Sequence, residues 1–235
     1  MLQKTKGISL HYYKYSESSV IAKIFTQEFG LQSIIINGIR QKKAKAKLGF
    51  LQPFTLVDLE LYKKSKTGLK RIKEIGVTKV LKRIPFDISR GLLAVFIAEV
   101  LLKVLAEDEK DELLFNYIET SVSELENTNE IPNTYPLIFL IKLSAYLGFY
   151  PSKENDVLPF FDLQNGCFSE KKNSHNHFID GEDLQNFKAL LFNWKVNISY
   201  GNRKKILLIL LDYYKLHHHE LKNLKSHRVI EQLRQ

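Results

Sequence analysis

The spacing of the apolar residues changes near residue 80, and this change constrains the fold more than any other feature of the sequence. Before it, Ile, Val, Thr, Tyr and Phe are concentrated in short segments separated by turn-forming residues, as in β-strands. After it, apolar residues recur at intervals of three and four, as on the buried face of a helix. A chain with its strands first and its helices second is predicted to be an α+β protein of two domains.

Five strands are predicted in the first part of the chain. Within the fourth, Val57, Leu59 and Leu61 fall on one face and Asp58 and Glu60 on the other, as half-burial requires. Five strands in about 75 residues suit a small closed barrel, so an N-terminal five-stranded OB-fold is predicted, with an SH3-like barrel as the alternative. The predicted strands span residues 5–15, 20–26, 31–36, 54–62 and 69–75.

Helices are predicted from residue 83 onwards. The first has candidate start signals at Pro85, Asp87 and Ser89. Residues 153–181 are polar and predicted to be irregular. We therefore predict a boundary between a barrel domain, 1–82, and an all-helical C-terminal domain, 83–235. The predicted helices span residues 92–105, 111–125, 137–147, 182–194, 204–217 and, as a short final helix, 221–233.

Charge divides the chain at the same place. Residues 1–83 contain 18 Lys and Arg against 5 Asp and Glu, whereas residues 84–235 contain 17 against 21. A basic balance confined to one domain favours binding to nucleic acid or to an acidic membrane surface. The membrane surface is the weaker alternative, because the sequence has no basic amphipathic helix with an exposed apolar face.

Two clusters supply most of this charge, and their members are the predicted DNA-binding residues. Lys-rich segments are also common in solvated loops and at the protected edges of sheets. Two clusters in one small domain nevertheless favour a phosphate-binding surface. The first cluster is Arg40, Lys42, Lys43, Lys45 and Lys47, and the second is Lys63, Lys64, Lys66, Lys70, Arg71 and Lys73.

Aromatic residues are interleaved with the basic ones. Tyr12 and Tyr13 are neighbours on a predicted strand, so their side chains point to opposite faces and one of them is expected to be exposed. An exposed ring can stack on a base, which favours single strands. Phe25 and Phe54 are expected in the barrel core. Because no helix presents a groove-reading set of Arg, Asn or Gln, we expect binding with little sequence preference.

Motifs that would indicate catalysis are absent from the sequence. It has no phosphate-binding glycine loop and no G-x-S-x-G elbow. The single cysteine, Cys167, excludes an intramolecular disulfide and a multi-cysteine metal site. The acidic run EDEKDE at 107–112 is interpreted as a solvated linker, and the histidines at 217–219 as a solvated helix end. We predict a protein that is not an enzyme and has no cofactor.

Segments along most of the chain resemble one known family. SESSVIAKIFTQEFGLQSIIINGIR (16–40), KKAKAK (42–47) and LGFLQPFTLVDLELY (48–62) resemble the N-terminal domain of the RecO DNA-repair proteins, the bacterial recombination mediators. FLIKLSAYLGFYP (139–151) resembles the central helix of that family, and YYKLHHHELKNLKS (213–226) its closing segment. The resemblance implies an OB-fold followed by a helical domain.

The resemblance also implies a function and partners. RecO-like proteins bind single- and double-stranded DNA, anneal complementary strands, and work with RecR and the single-strand-binding protein to help RecA take over single strands. Many members carry a four-cysteine zinc element, but residues 152–181 hold only Cys167, so no zinc is expected. The family binds the acidic, hydrophobic tail of the single-strand-binding protein in its helical domain. Candidate contacts here are Lys142, Arg203, Lys204 and Lys205.

An RNA-binding or ribosome-associated OB-fold module with a helical partner domain is the alternative function, because its charge pattern would look the same. The expected location is the cytoplasm, with association with the nucleoid during repair. Residues 1–7 are polar and lack the apolar segment of a secretory signal. The longest apolar region, residues 92–105, is shorter than a membrane span and contains Glu99 and Lys103.

Overall fold

In the part of the chain that the structure describes, the fold consists of an N-terminal barrel of five strands followed by five α-helices and a small three-stranded sheet. The computed structural model describes residues 2–39, 42–62, 69–172 and 174–218 with Leu224 and Ser226, and only the backbone of residues 42–46. The final helix predicted at 221–233 lies outside the described residues, apart from these two positions. No helix in the described part of the chain is long and apolar enough to cross a bilayer.

The barrel confirms the predicted OB-fold. Its strands are β1 (Leu2–Lys14), β2 (Val20–Thr26), β3 (Gly30–Ile36), β4 (Leu56–Tyr62) and β5 (Lys70–Val77). They close in the order β1–β2–β3–β5–β4, with β4 returning to pair with β1. All pairs are antiparallel except β3 with β5. This is the five-stranded closed barrel of the OB-fold.

Inward-facing apolar residues alternate with outward-facing residues along the strands, and the inward-facing ones fill the barrel core. On β4, Val57, Leu59 and Leu61 are buried in the core, while Asp58 is exposed, as the sequence pattern predicts. Inward-facing residues of β2 and β3 complete this core. The outward residues of β2 and β3 therefore alternate with these, and they form the outer face on which the candidate site lies.

Helix starts follow local capping chemistry. The helices are α1 (Ile88–Val104), α2 (Glu112–Asn127), α3 (Tyr135–Tyr146), α4 (Gly181–Phe192) and α5 (Tyr200–His217). Of the three candidate start signals for α1, Asp87 is the cap, because its carboxylate accepts the Arg90 N–H at 3.1 Å. α5 begins four residues earlier than predicted, where the Ser199 hydroxyl caps it.

Two compact units make up the chain, Met1–Asn129 and Glu130–Gln235. The first therefore contains the barrel together with α1 and α2. The Glu126 carboxylate near the end of α2 accepts backbone N–H groups of residues 82–84 at 2.6 to 3.1 Å. The buried Arg90 guanidinium donates to the carbonyls of Leu125, Thr128 and Asn129 at the end of α2. These bonds tie the segment after the barrel to α2. The last strand of the barrel ends at Val77 and the first helix begins at Ile88, on either side of residue 82.

The second unit contains a sheet where the sequence predicted irregular structure. Its strands are β6 (Phe160–Asp162), β7 (Cys167–Ser169) and β8 (Phe178–Ile179). Strands of two or three residues are too short to show alternation, which is why the pattern missed them. Phe161 anchors the sheet, with its ring 5.0 Å from Phe168 and 4.9 Å from Phe187 of α4.

The solvated helix end predicted at 217–219 is wrong for its first residue. His217 is half-buried and its ring stacks on Phe149 at 5.2 Å, nearly parallel. Its Nε2 lies 2.9 Å from the Leu163 carbonyl oxygen. His217 is held by stacking on Phe149, which is distant in the sequence, so the local charge pattern could not predict the contact. His219 lies outside the described residues.

Candidate nucleic-acid interface

A continuous row of outward-facing residues crosses the barrel. Tyr13 of β1 lies opposite Ile21 of β2, which lies opposite Ile35 of β3, which pairs with Arg71 of β5. On the far side Leu61 pairs with Ile72, which brings its neighbour Tyr62 to the Arg71 end of the row. We call this set of side chains the open row: Tyr13, Ile21, Ile35 and Arg71, with Tyr62 beside Arg71.

The open row combines aromatic, apolar and cationic groups. Tyr13 is 45% exposed and Tyr62 46% exposed, Arg71 is exposed, Ile35 is half-buried and Ile21 is buried. Tyr12 is half-buried against the barrel core, so the expectation that one of the paired tyrosines is exposed is confirmed. Phe25 and Phe54 are buried, also as predicted. A base can stack on an exposed tyrosine while a guanidinium holds a phosphate.

The first basic cluster begins just beyond the end of β3. A 3₁₀-helical segment, Lys42–Leu51, carries the backbone of Lys42, Lys43, Lys45 and Lys47. Leu51 is buried, and its carbonyl accepts the Ser9 hydroxyl of β1 at 3.0 Å. Lys47 is exposed, and no described carboxylate pairs with it. The apolar end of the segment thus fixes it to the barrel, while Arg40 lies outside the described residues.

The described members of the second cluster differ in whether a carboxylate contacts them. Lys63, Lys64 and Lys66 lie outside the described residues. On β5 Lys70 is half-buried and Arg71 is exposed, and within the described part of the chain neither has a carboxylate partner. Lys73 differs: a β-bulge turns it outward beside Glu60, whose carboxylate is 2.9 Å from its ammonium.

The contact with Glu60 belongs to a wider pattern on the β1–β4–β5 face. There Lys4 lies opposite Glu60 and Lys6 opposite Asp58, and Lys6 also lies 3.8 Å from Glu119 of α2. The bond to Glu60 raises the pKa of Lys73. Exposed pairs of this kind are weak, but each one reduces the local positive potential. Of the described members of the two clusters, Arg71 of the open row, Lys70 beside it and Lys47 of the 3₁₀ segment have no described carboxylate partner.

The other half of the β2–β3 outer face is covered. Phe25 of β2 packs its ring 5.7 Å from Phe115 of α2. The ammonium of Lys23 and the hydroxyl of Ser33 both donate to the Glu107 carboxylate. The acidic run at 107–112 is the exposed linker between α1 and α2 that the sequence suggested, but it also contacts the barrel. Its first residues lie against the barrel, and no local pattern in the sequence marks this contact.

The candidate partner-binding residues of the second unit occupy separate places. Lys142 of α3 holds its ammonium 5.2 Å from the Trp194 ring. Sequence reasoning missed Lys153, whose ammonium lies 5.9 Å from the same ring and 5.4 Å from that of Phe192. The signal in the sequence that could have identified this cation–π cluster is the single tryptophan in a chain rich in lysine.

The other three candidates lie in the first two turns of α5. Arg203 donates to the Ile198 carbonyl at 2.6 Å, and Lys205 lies 3.9 Å from the Asp183 carboxylate. Lys204 is exposed. Arg203 and Lys205 therefore contact groups of the unit itself, and Lys205 is exposed like Lys204.

No three His, Cys, Asp or Glu side chains among the described residues come close enough together to bind a metal ion. Burial, followed by the charge of Asp162, raises the pKa of the Cys167 thiol, which disfavours the reactive thiolate. His175 lies 3.3 Å from the Asp162 carboxylate and stacks on Phe178. These groups pack the small sheet.

Two family models together match nearly the whole chain. Residues 1–81 match the model described as Recombination protein O N terminal, and residues 85–228 match Recombination protein O C terminal. The junction between them falls where the barrel gives way to the helices.

Curated relatives agree with the family models. The chain is 34% identical to the DNA repair protein RecO of Flavobacterium psychrophilum, covering 98% of each chain. It is 32% identical to that of Phocaeicola vulgatus, covering 99% of each, and 33% identical to that of Azobacteroides pseudotrichonymphae, covering 96% of each. This chain belongs to the RecO family of DNA repair proteins.

Proposed function

We propose that this chain is a recombination mediator that binds single- and double-stranded DNA without sequence preference. It anneals complementary strands and helps load RecA onto single strands that single-strand-binding protein covers. Membership of the RecO family supports the role in repair. The open row, which joins an exposed tyrosine to an exposed arginine across four strands, is the observation that supports contact with DNA.

The chemistry of the open row favours single strands of any sequence. Every base has a π-face, so stacking on Tyr13 or Tyr62 does not distinguish bases. Arg71 offers donors to phosphate oxygens, which are the same in every nucleotide. The strands also form the face that OB-folds use for oligonucleotides. Both basic clusters adjoin this face in sequence, and we propose that they extend it along the phosphate backbone.

Annealing follows from charge neutralisation. Two complementary strands repel each other through their phosphates, and a broad cationic surface lowers that repulsion while the bases find their register. This step breaks no covalent bond, so we propose that the protein is not an enzyme. The work takes place at the nucleoid, in the cytoplasm.

Partner binding is proposed for the second unit. The partners are RecR, single-strand-binding protein and, indirectly, RecA. Lys142 and Lys153 beside Trp194 combine positive charge with an apolar ring. Such a combination suits the acidic, hydrophobic tail of the single-strand-binding protein. Arg203, Lys204 and Lys205 add positive charge in the first two turns of α5.

A fluorescence annealing assay with complementary oligonucleotides tests the proposal. We expect the full chain to accelerate annealing of DNA, including DNA coated with single-strand-binding protein, and to do so less at high salt. Failure to anneal at low salt would contradict the proposal. Equal or stronger action on matched RNA strands would favour the RNA-binding alternative.

Charge reversal locates the surface. Changing Lys42, Lys43, Lys45 and Lys47 to Glu is expected to lower affinity for DNA by tenfold or more and to slow annealing, because several phosphate contacts are lost. The matched control changes the same net charge at four exposed lysines of the second unit, and equal losses in both would show that only net charge matters. The control residues are Lys171, Lys172, Lys195 and Lys215.

A further inference from the structure

The acidic run after α1 docks along the first half of β3. Glu107 pairs with Leu31 as an isolated parallel bridge, and the Asp108 N–H donates to the Leu31 carbonyl at 3.2 Å. The Gln32 side-chain amide donates to the Asp108 carboxylate at 3.0 Å. β5 pairs with β3 only at Ile34 and Ile35, so the run lies against the half of β3 that β5 leaves unpaired.

Backbone packing holds this run in place. Gly30 has a φ of +64°, and a Cβ there would lie 2.0 Å from the Glu109 carbonyl oxygen. The Lys110 ammonium is 3.0 Å from the Glu28 carboxylate in the turn between β2 and β3. The position of Glu107 is therefore set by contacts of the residues that follow it.

One carboxylate oxygen of Glu107 receives two donors from the outer face. Lys23 and Ser33 lie directly opposite each other on β2 and β3. The Lys23 ammonium and the Ser33 hydroxyl, the latter at 2.9 Å, both donate to the same Oε1. The bond from Lys23, aided by that from Ser33, holds the pKa of Glu107 below its ordinary value, so the carboxylate is charged at neutral pH.

A phosphate oxygen would use the same two donors. Nucleic-acid backbones are held by lysine ammonium and serine hydroxyl groups that converge on a non-bridging oxygen. Lys23 and Ser33 are two residues along their strands from Ile21 and Ile35, so they form the next outward row beside the open row. A strand that crosses the open row would reach this pair next.

We propose that Lys23 and Ser33 form a phosphate-binding position continuous with the open row, and that Glu107 occupies it as an internal substitute for a nucleic-acid phosphate. This inference rests on the proposed function. A bound strand gains this position only by displacing Glu107, so the acidic run weakens DNA binding and confines it to the open half of the face.

The test compares two alanine variants of the full chain by fluorescence anisotropy with a labelled oligothymidylate over a range of salt concentrations. Glu107→Ala uncovers Lys23 and Ser33, whereas Glu124→Ala removes the same charge from an exposed site on α2. One additional phosphate contact steepens the log–log salt slope by about 0.7 and tightens binding about fivefold near 0.1 M salt. We expect this gain in Glu107→Ala beyond any change in Glu124→Ala, and its loss in Lys23→Gln/Glu107→Ala.

Each outcome decides a different point. Equal binding by the two alanine variants, or a gain that persists without Lys23, would overturn the inference while leaving the proposed function intact. A wild-type chain that does not bind the oligonucleotide at low salt would overturn both. Thermal unfolding of each variant confirms that folded proteins are compared.

Discussion

Two neighbouring rows on the outer face of β2 and β3 have opposite surroundings. The open row, through Ile21 and Ile35, runs between exposed Tyr13 and exposed Arg71. The covered row, two residues further along each strand, consists of Lys23 and Ser33 under the Glu107 carboxylate. The same two strands thus carry one row that ends at exposed side chains on the neighbouring strands and one row that the protein's own acidic segment contacts.

This difference shows that counting cations overstates the binding surface. Lys23, Lys73 and Arg71 contribute equally to the net charge of the barrel, yet Lys23 contacts Glu107 and Lys73 contacts Glu60. Arg71 has no carboxylate partner among the described residues. The position of an acidic neighbour, and not the number of basic residues, decides which part of the face can hold a phosphate.

The largest effect is expected from a substitution at Gly30, which lies against the backbone of the acidic segment that contacts the covered row. Gly30→Ala places a side chain in the left-handed region and against the Glu109 backbone, so the acidic segment must move. We expect a loss of about 2 kcal/mol or more in the free energy of unfolding, measured by denaturant titration.

Gly76 of β5 is the matched control for that experiment. It has no positive φ, and a Cβ there would meet nothing within 4 Å. Gly76→Ala should remain within about 1 kcal/mol of the wild-type stability. Equal losses at the two glycines would contradict the packing described for Glu109.

A smaller effect is expected from lowering the pH, because acid removes only the charge of the Glu107 carboxylate. The lowered pKa of Glu107 means that its contribution to stability is present above its ordinary value of 4.5 and is lost as pH falls through the folded-state value. The stability difference between wild type and Glu107→Ala should be below about 1 kcal/mol at neutral pH, because the pair is half-exposed.

Denaturant titrations of both proteins across this acid range measure the effect. The neighbouring ionisable groups, among them Lys23 and His11 opposite it on β1, are the same in both proteins. The difference should vanish in acid. A difference that is constant with pH would show that the carboxylate charge does not hold the segment.

Much of the fold could be predicted because local chemistry determines it. Alternation on β4 correctly assigns Val57, Leu59 and Leu61 to the core. Asp87 caps α1 because a carboxylate there can accept the free N–H groups of the first turn. The open row could be predicted only in part, because the sequence identified Arg71 and an exposed tyrosine but not the strand register that aligns them.

The covered row could not be predicted, because its contacts are non-local. Glu107 lies 84 positions from Lys23, and a run of acidic residues has no periodicity that indicates a docking partner. The pairing of Lys73 depends on a bulge that shifts the register between Glu60 and Leu61. Two consecutive polar residues, Lys73 and Glu74, were the only local sign of it.

The central claim is that the open row holds nucleic acid, and two neighbouring positions on β5 test it most directly. Arg71→Gln and Lys73→Gln each remove one positive charge from the same strand, and binding of each to a labelled oligothymidylate is measured against salt. We predict that Arg71→Gln weakens binding about fivefold near 0.1 M salt and lowers the slope by about 0.7, while Lys73→Gln leaves the slope unchanged. Equal losses in the two variants, or no loss in Arg71→Gln, would contradict the account.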